Sequence, residues 1–440
     1  MSKHHPIVWV LLVFFVLSIG LPVTAEGDES LGDEQRRLNL ESFDYVWTTI
    51  DEKHWEKKPG GLDWQAVRDE LRPRVEQAAT VDDARDVLFE MIGRLGQSHF
   101  GIIPGHVYEE LQVERGAGTT GIVARVIDGR AVVISIDEDS PAADRGVHPG
   151  WEILGVDKEP LEPRIADLSR EFGDSLYLDL VLASSVMGRL SGPVGEQVMV
   201  QFLDGRGRKV KRKLSRVEQT GDLVTLGFMP PVRVWIDHRP LEGTLGYIAF
   251  NMFIDPGRLM PAFNAAMREF LEADGLVIDL RGNPGGILAM GMGMAGWLID
   301  EKNHRLGTMY VKDQEVKIVV FPRPETYEGP VAILVDGLSG SCSEIFAGGL
   351  QDLGRARVFG SRTMGAVLPS AIEKLPNGDG FQYAFANYVS EGGEVLEGRG
   401  VIPDQAITPT REALLQGRDE VLEAAITWIR THQEHMEAAR

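Results

Sequence analysis

The chain has 440 residues, a formal net charge of -21 and a single cysteine, Cys342. Its hydrophobic fraction of 43% and charged fraction of 25% are typical of a soluble globular protein, and its length suffices for two or three domains. Nucleic acid and anionic membrane surfaces require a positive protein face, so this charge disfavours both as partners. A single cysteine excludes an intrachain disulfide.

The N-terminus has the pattern of an export signal. A basic start at residues 3–5 precedes the apolar run 7–19, and small residues follow up to Ala25. We predict a signal peptide over residues 1–25, cleaved after Ala25, and a periplasmic or extracellular protein. An uncleaved anchor is the alternative, although the apolar run is shorter than the roughly 20 residues of a membrane span.

Residues 26–116 are predicted to form a helical region. Apolar residues recur at helical spacing between Phe43 and Ile50, and Asp63 and Thr80 stand where helix N-caps are expected. The last helix ends in a glycine-containing stretch that leads directly into Ser98-His99.

Residues 117–217 are predicted to form a small β domain. Two strand-like runs flank Asp128-Gly129, a strong hairpin signal, and a later hairpin surrounds Asp204-Gly205. Residues 160–192 have a more helical pattern, and we interpret them as an insertion.

Residues 218–415 are predicted to form an α/β core, and residues 416–440 a C-terminal helix. From Leu245 onward, apolar strand-like runs alternate with helical segments. Such alternation favours a mainly parallel sheet covered by helices.

The most informative segment is the turn that ends at Ser341. It follows the apolar run 331–335 and precedes the amphipathic stretch 344–353. A serine between a strand and a helix can be held clear of the sheet, and the first N–H groups of the helix can bind developing negative charge. The neighbouring Cys342 could itself be a nucleophile, although a small buried residue is the more common role of such a cysteine.

A serine nucleophile needs a base and an oxyanion site. Among ten histidines, His99 stands out because it follows a helix that ends in glycines, although a lone histidine is more often structural. The turn 279–286 is rich in glycine, so its N–H groups could bind an oxyanion, and an ordinary strand-to-helix turn remains equally open.

Other functional classes are disfavoured. Gly-x-Gly-x-x-Gly occurs at 116–121 and 291–296, but neither copy links a strand to a helix start, as phosphate binding requires. The sequence around Ser341 lacks the Gly-x-Ser-x-Gly pattern of α/β-hydrolase esterases. No His-Glu-x-x-His or comparable metal pattern is present, so we predict no metal and no cofactor.

Several segments together resemble the S41 peptidases, the family of tail-specific and carboxyl-terminal processing proteases and of the tricorn core. The matching parts are residues 279–286, the Ser-x-Ser-Glu-Ile motif within 340–352, and the Glu-Gly-x-Gly motif within 397–404. Residues 118–157 resemble the PDZ module of these proteases. The resemblance implies a crotonase-like α/β protease core and a PDZ domain that binds peptide ends by β-addition.

One departure from the family pattern is decisive for the expected base. The carboxyl-terminal processing branch pairs its serine with a lysine inside Thr-Phe-Gly-Lys-Gly, and Ala366 occupies that position here. The tricorn-like branch instead uses a Ser-His pair and a glutamate, which this chain has as Ser98-His99 and Glu397.

The resemblance therefore implies a complete set of site residues. We expect Ser341 as nucleophile, His99 as general base, and Ser98 and Glu397 as the groups that orient the base. The remaining expected residues are the oxyanion donors Gly286 and Cys342, through their N–H groups, and the PDZ peptide-binding positions Gly121 and Ile122. Trp151 replaces the aspartate of the PDZ pattern Pro-Gly-Asp-x-Ile, so a standard PDZ peptide groove does not follow from this part of the resemblance.

The sequence thus predicts an exported serine endopeptidase that acts on protein or peptide substrates, with homo-oligomerisation left open. The missing lysine motivates the alternative, a catalytically inactive S41-like binding or scaffold protein.

Overall fold

The structure, a computed structural model, describes residues 31–112, 117–173, 175–241 and 243–438. The predicted signal peptide lies outside these residues. Within the described ranges, no helix is both long enough and apolar enough to cross a membrane.

The N-terminal region is helical, as predicted. The helix Val81–Gly93 begins with a capping box, in which the Thr80 hydroxyl accepts the Asp83 N–H and the Asp83 carboxylate accepts the Thr80 N–H. Phe43, Val46 and Ile50 lie on the buried face of the first helix. The elements are α1 (Asp33–Lys53), a 3-10 turn (Pro59–Gly61), α2 (Trp64–Glu76), α3 (Val81–Gly93), β1 (Gly101–Ile103) and α4 (Gly105–Gln112).

A separate antiparallel sheet follows, which we call the β unit (residues 117–217). Its elements are β2 (Ala117–Gly118), β3 (Ile122–Ile127), β4 (Arg130–Ile136), α5 (Pro141–Asp144), β5 (Glu152–Val156), β6 (Glu159–Pro160), α6 (Glu162–Phe172), α7 (Leu178–Leu190), β7 (Gly192–Pro193), β8 (Gln197–Leu203) and β9 (Lys209–Ser215). The strand order is β3-β4-β5-β8-β9, with β6 beside β5. Helix α7 packs against the edge strand β3, and the Ala124 N–H there donates to Met187 Sδ over 3.4 Å.

The rest of the chain alternates strands and helices. Its strands are β10 (Asp222–Val224), β11 (Val232–Val234), β12 (Ile236–Pro240), β13 (Leu245–Phe250), β14 (Gly275–Asp279), β15 (Arg305–Val311), β16 (Gln314–Val319), β17 (Val331–Val335), β18 (Arg357–Gly360), β19 (Ser370–Lys374), β20 (Gly380–Ala384), β21 (Ala386–Ser390) and β22 (Gln405–Ala406). Its helices are α8 (Leu259–Glu269), α9 (Leu288–Ala295), α10 (Cys342–Asp352), α11 (Arg411–Leu415) and α12 (Glu420–Ala438).

The predicted parallel sheet is present in the core. Its order is β12-β13-β14-β17-β18-β22, and only β12 runs antiparallel to its neighbour. Successive residues of the central strands belong to two different apolar clusters: Ile278 and Ile333 face helices α8–α10, whereas Val277 and Leu334 face α12. Both faces of the sheet are therefore covered, which explains why these strands are continuously apolar.

A small sheet of order β1-β20-β19 attaches the N-terminal region to the core. Gly101 pairs with Gln382 in antiparallel register. Nearby, the buried Arg85 guanidinium donates to both carboxylate oxygens of Asp379, over 2.9 and 3.0 Å. These contacts place the segment just before β1, which contains Ser98-His99, beside the core. The sequence analysis did not anticipate this pairing.

Candidate active site

The turn that contains Ser341 is held against the glycine-rich turn at 279–286. Ser339 Oγ donates to the Leu280 carbonyl over 2.7 Å, and the Gly340 N–H donates to the Asn283 carbonyl over 3.1 Å. Ser343 Oγ donates to the same Asn283 carbonyl over 2.9 Å. The two turns leave the carboxyl ends of adjacent parallel strands, β14 and β17, so they meet at one edge of the sheet.

Ser341 itself has φ of 51° and ψ of -118°. Positive φ is costly for a residue with a side chain and persists where the surroundings enforce it, often at functional sites. The enforcing contacts are on the backbone: the Ser341 N–H lies 2.8 Å from the Ala366 carbonyl and 3.0 Å from Glu344 Oε2.

Glu344 is a residue to which the sequence analysis gave no role, although it belongs to the Ser-x-Ser-Glu-Ile motif. Its carboxylate is completely buried, and besides Ser341 it accepts from Thr363 Oγ1, Gly365 N–H and Ala366 N–H, over 2.5, 2.7 and 3.0 Å. Burial raises the pKa of Glu344 to about 7, against these hydrogen bonds. Glu344 thereby joins α10 to residues 363–366, the segment that ends at Ala366.

The glycine-rich turn and the start of α10 bring two backbone N–H groups near Ser341, those of Gly286 and Cys342. Gly285 and Gly286 have φ of 101° and 140°, and a Cβ on Gly285 would lie 2.7 Å from both the Cys342 nitrogen and Ser341 Cβ. The turn can approach the serine this closely only because a side chain is absent. Within the described ranges, the N–H groups of Gly286 and Cys342 have no hydrogen-bond acceptor in the protein.

The environment of the Cys342 thiol disfavours a role as nucleophile. The residue is buried, and Sγ lies 3.7 Å from the Ile287 carbonyl. Burial raises the pKa of the thiol to about 12, so the reactive thiolate is not formed near neutral pH.

Ser98, His99 and Glu397 form one hydrogen-bonded chain. Ser98 Oγ lies 2.8 Å from His99 Nδ1 and donates to Glu397 Oε2 over 2.9 Å. The other carboxylate oxygen of Glu397 accepts the Ser98 N–H over 2.8 Å, and Oε2 also accepts the Val367 N–H over 3.1 Å. The three residues come from opposite ends of the chain.

Burial determines which groups among Ser98, His99 and Glu397 are protonated. It lowers the pKa of His99 to about 4, so the imidazole is neutral at pH 7 and can accept a proton. Burial also raises the pKa of Glu397, while the hydrogen bonds from Ser98 and Val367 oppose that shift.

His99 and Ser341 line the same cavity, of about 430 Å³. Gly286 and Cys342 also line it. With Ser98 and Glu397, which are hydrogen-bonded to each other and, through Ser98, to His99, the structure brings together six of the residues named from the sequence. Most other lining residues are apolar, among them Met252, Ile254, Ile287, Met309, Val367 and the partly exposed Phe228.

Gly121 and Ile122 lie away from this cavity, in the β unit. The Gly121 N–H already donates to Thr119 Oγ1 over 3.0 Å, and Ile122 pairs with Ile136. Helix α7 covers the edge of the same strand. The role of these two residues in peptide binding stays a prediction.

His54 is a buried residue beside the Ser98-His99 segment, and the sequence gave no indication of its position there. It is fully buried at the end of α1, where Nδ1 accepts the Glu56 N–H over 3.0 Å. Nε2 therefore carries the proton and donates to Gln97 Oε1 over 2.8 Å, next to Ser98. The polar residues that follow His54 gave no signal of this burial.

Comparison with known proteins agrees with the fold. Residues 244–407 match the model of peptidase family S41, and residues 39–93 match that of the tricorn protease C1 domain. The chain is 24% identical over 372 residues to a carboxyl-terminal-processing protease of Picosynechococcus sp., covering 82% of this chain and 81% of the relative. It is 25% identical over 426 residues to the putative tricorn protease homolog 2 of Streptomyces coelicolor, covering 91% of this chain and 34% of that protein.

Among solved structures, the photosystem II D1 C-terminal processing protease is similar, with a TM-score of 0.55 and 20% identity over 88% of this chain and 97% of that one. The predicted crotonase-like α/β protease fold is therefore confirmed.

Proposed function

We propose, from the match of residues 244–407 to the model of peptidase family S41, that the chain is a serine endopeptidase of this family whose base is His99. One observation carries the proposal: His99 is hydrogen-bonded into the Ser98–Glu397 chain and lines the cavity of Ser341, whereas the position of the family's lysine is Ala366. Ala366 is fully buried, and its side chain offers no base.

In the first step, Ser341 Oγ attacks the carbonyl carbon of the scissile peptide bond while its proton moves to His99 Nε2. The N–H groups of Gly286 and Cys342 donate to the oxygen of the tetrahedral intermediate, where negative charge develops. His99 then gives its proton to the leaving amine, and the acyl group remains on Ser341. A water molecule deprotonated by His99 hydrolyses this ester and returns both residues to their starting state.

Glu397 and Ser98 orient the base and stabilise it when it is protonated. Ser98 Oγ donates its only proton to Glu397, so it can act only as an acceptor toward His99. Nδ1 of His99 must therefore carry the proton in this hydrogen bond. This arrangement leaves the lone pair on Nε2 for the nucleophile, as the aspartate does in other serine proteases.

The substrates we propose are unstructured proteins or peptides with an apolar side chain next to the scissile bond. The apolar lining of the cavity supports this choice, because burying such a side chain there removes apolar surface from water. We further propose that the protein is exported after cleavage near Ala25 and that the β unit binds the substrate peptide.

The test uses a fluorophosphonate probe and the hydrolysis of casein, an unstructured protein. The wild type should be labelled and should hydrolyse casein, and Ser341→Ala and His99→Ala should each abolish hydrolysis with an unchanged circular dichroism spectrum. Ser184→Ala and His304→Ala are matched controls, since Ser184 bonds within its own helix and His304 pairs with Glu301 at the surface. Absence of labelling in the wild type at neutral pH would favour the inactive scaffold, and full activity of His99→Ala would overturn the assignment of the base.

A further inference from the structure

The sheet β1-β20-β19 forms one wall of the active-site cavity. Side chains alternate between the two faces of a strand. Ala371 and its cross-strand partner Tyr383 pack in the apolar cluster of the N-terminal helices. Ser370 and Ile372, one residue to either side of Ala371, line the cavity that contains Ser341. This sheet therefore lies between the helical region and the catalytic cavity, with one face toward each.

Strand β19 lies at the edge of this sheet and, among the described residues, pairs only with β20. In an antiparallel pair, successive residues bond alternately toward the partner strand and away from it. Pro369, just before β19, accepts the Phe385 N–H over 3.0 Å. Leu375, just after β19, donates to the Asp379 carbonyl over 2.7 Å, and the register between these two contacts is continuous. The odd-numbered residues of β19 therefore bond to β20, and the N–H and carbonyl groups of its even-numbered residues point to the open edge.

The first two of these outward-pointing residues lie in the active-site cavity. They are Ser370 and Ile372, whereas Lys374, further along, is exposed and does not line the cavity. Within the described ranges, the backbone groups of Ser370 and Ile372 have no hydrogen bond outside the pairing with β20. An unpaired strand edge is a template for a further strand, and a lysine on the edge opposes such pairing. The open part of β19 is thus the part inside the cavity.

This open edge is close to the nucleophile along the chain. The Ala366 carbonyl accepts the Ser341 N–H over 2.8 Å, and Ser370 is four residues further on. An extended chain spans at most about 3.6 Å per residue, so Ser370 lies within about 14 Å of Ala366. A peptide whose scissile bond lies at Ser341 thus has residues about four positions away beside β19.

We propose that the substrate binds as an extended strand added to the open edge of β19, with its backbone paired to the N–H and carbonyl groups of Ser370 and Ile372. This inference rests on the proposed function, because it assumes a peptide held at Ser341. Main-chain pairing accepts many sequences, and the side chains that alternate toward Ile372 favour apolar residues at every second position. A helix is excluded, since its N–H groups are already bonded, so the substrate class is unfolded chain.

The first test measures how hydrolysis depends on substrate length. Mass spectrometry of casein digests identifies a cleaved bond, and fluorogenic peptides around that bond are then extended one residue at a time at either end. We expect kcat/KM to rise about tenfold once the added residues reach β19, because backbone hydrogen bonds are gained there. The end whose extension raises kcat/KM gives the direction of the substrate along β19. Equal kcat/KM for all lengths would overturn the proposal.

N-methylation of the substrate backbone tests the pairing directly. A strand added to β19 directs every second N–H toward it. N-methyl groups placed at successive positions of the added segment should therefore lower kcat/KM at alternate positions, by about fivefold at each. A pocket that recognised side chains alone would give no such alternation. The same effect at every position, or none at any, contradicts strand addition.

Ile372→Pro removes one outward-pointing N–H from the protein, and Ile372→Ala is the matched control that shortens the side chain but keeps this N–H. Proline is tolerated on an edge strand where its nitrogen faces away from the sheet, so circular dichroism should show both variants folded. The ratio of kcat/KM for the longest peptide to that for the shortest should be about threefold lower in Ile372→Pro than in Ile372→Ala. Equal ratios in the two folded variants would overturn the role of β19. If Ile372→Pro does not fold, the N-methyl series decides.

These outcomes are distinct from failure of the proposed function. If the wild type hydrolyses neither casein nor any peptide, and the fluorophosphonate probe does not label Ser341, the proposed function has failed. An enzyme that is labelled, and that cleaves peptides at rates independent of length and of N-methylation, keeps the proposed function and contradicts only strand addition to β19.

Discussion

The nucleophile turn and the base relay are built in different ways. The nucleophile turn is a continuous segment between β17 and α10, and its main partners are the adjacent turn at 279–286 and Glu344 on its own helix. The base relay joins Ser98-His99 of the N-terminal region to Glu397 near the end of the core. The first depends on contacts that one domain makes within itself, whereas the second exists only when separate regions are docked.

The docking contacts combine a shared apolar cluster with specific polar pairs. Pairing of β1 with β20 and the buried Arg85–Asp379 ion pair attach the N-terminal region beside the site. We therefore expect substitutions that can disable the base while the nucleophile turn stays folded. The reverse, loss of the turn with an intact relay, is not expected, because Val367 and Glu344 connect the relay to that turn.

The largest effect should come from Glu397→Gln. Whichever way its amide is turned, the NH₂ faces at least one of the donors that the two carboxylate oxygens accept, so the bonds to Ser98 are disrupted and the orientation of His99 is weakened. We expect kcat to fall by roughly 10² to 10⁴, by analogy with loss of the orienting acid in other serine proteases. Glu394→Gln is the control, since the Glu394 side chain is exposed and forms a long ion pair of 3.7 Å with Arg399. Casein hydrolysis that is unchanged in Glu397→Gln would remove this residue from the relay.

Arg85→Ala should separate the two regions of the site. It leaves the completely buried Asp379 carboxylate without its partner, which costs about 3–5 kcal/mol of unfolding free energy. Chemical denaturation followed by tryptophan fluorescence measures this loss, and hydrolysis should fall with it. Arg37→Ala, which breaks only exposed pairs with Glu34 and Glu41, should leave stability nearly unchanged, because solvent screens such pairs. Equal stabilities of the two variants would show that Arg85 does not dock the N-terminal region.

The pH profile should distinguish a buried histidine base from an exposed one. Because burial lowers the pKa of His99 to about 4, its neutral form persists at lower pH, and the acidic limb of kcat/KM should lie near pH 4. The same shift affects stability: the unfolded histidine binds a proton near pH 6.5, so stability decreases as pH falls from about 6.5 toward 4. Circular dichroism at each pH separates unfolding from loss of the base. Burial raises the pKa of Glu344 to about 7, so Glu344 is a second group that titrates in this range. A limb near pH 6.5 that persists in folded Glu344→Gln would contradict the buried environment of His99.

The smallest effect should come from Phe228→Ala at the edge of the cavity. Phe228 is half exposed, so its removal should weaken apolar substrate contact by less than about 1 kcal/mol and raise KM a few-fold, with kcat unchanged. Phe321→Ala is the control, since Phe321 is similarly exposed but does not line the cavity. An equal change in KM for both variants would show that the 226–229 segment does not contact substrate.

Local patterns accounted for much of the fold. The caps at Asp63 and Thr80, the hairpin at Asp128-Gly129 and the continuous apolar strands of the core follow from capping, turn and burial preferences of neighbouring residues. Helix α4 and the pairing of β1 with β20 were not anticipated, because strand pairing between distant segments leaves no local pattern. The role of His54 was missed for a similar reason: its burial depends on Gln97 and on rings packed around it.

The sequence by itself determined the strand–turn–helix at Ser341, the absence of a lysine at position 366 and the order of the family motifs, since each is a property of contiguous residues. Only the tertiary structure decided which groups meet. It joined Ser98-His99 to Glu397 and brought His99 to the cavity that Ser341 lines. It also lowered the pKa of His99, because burial is a property of the packed molecule and not of the residues next to it in the chain.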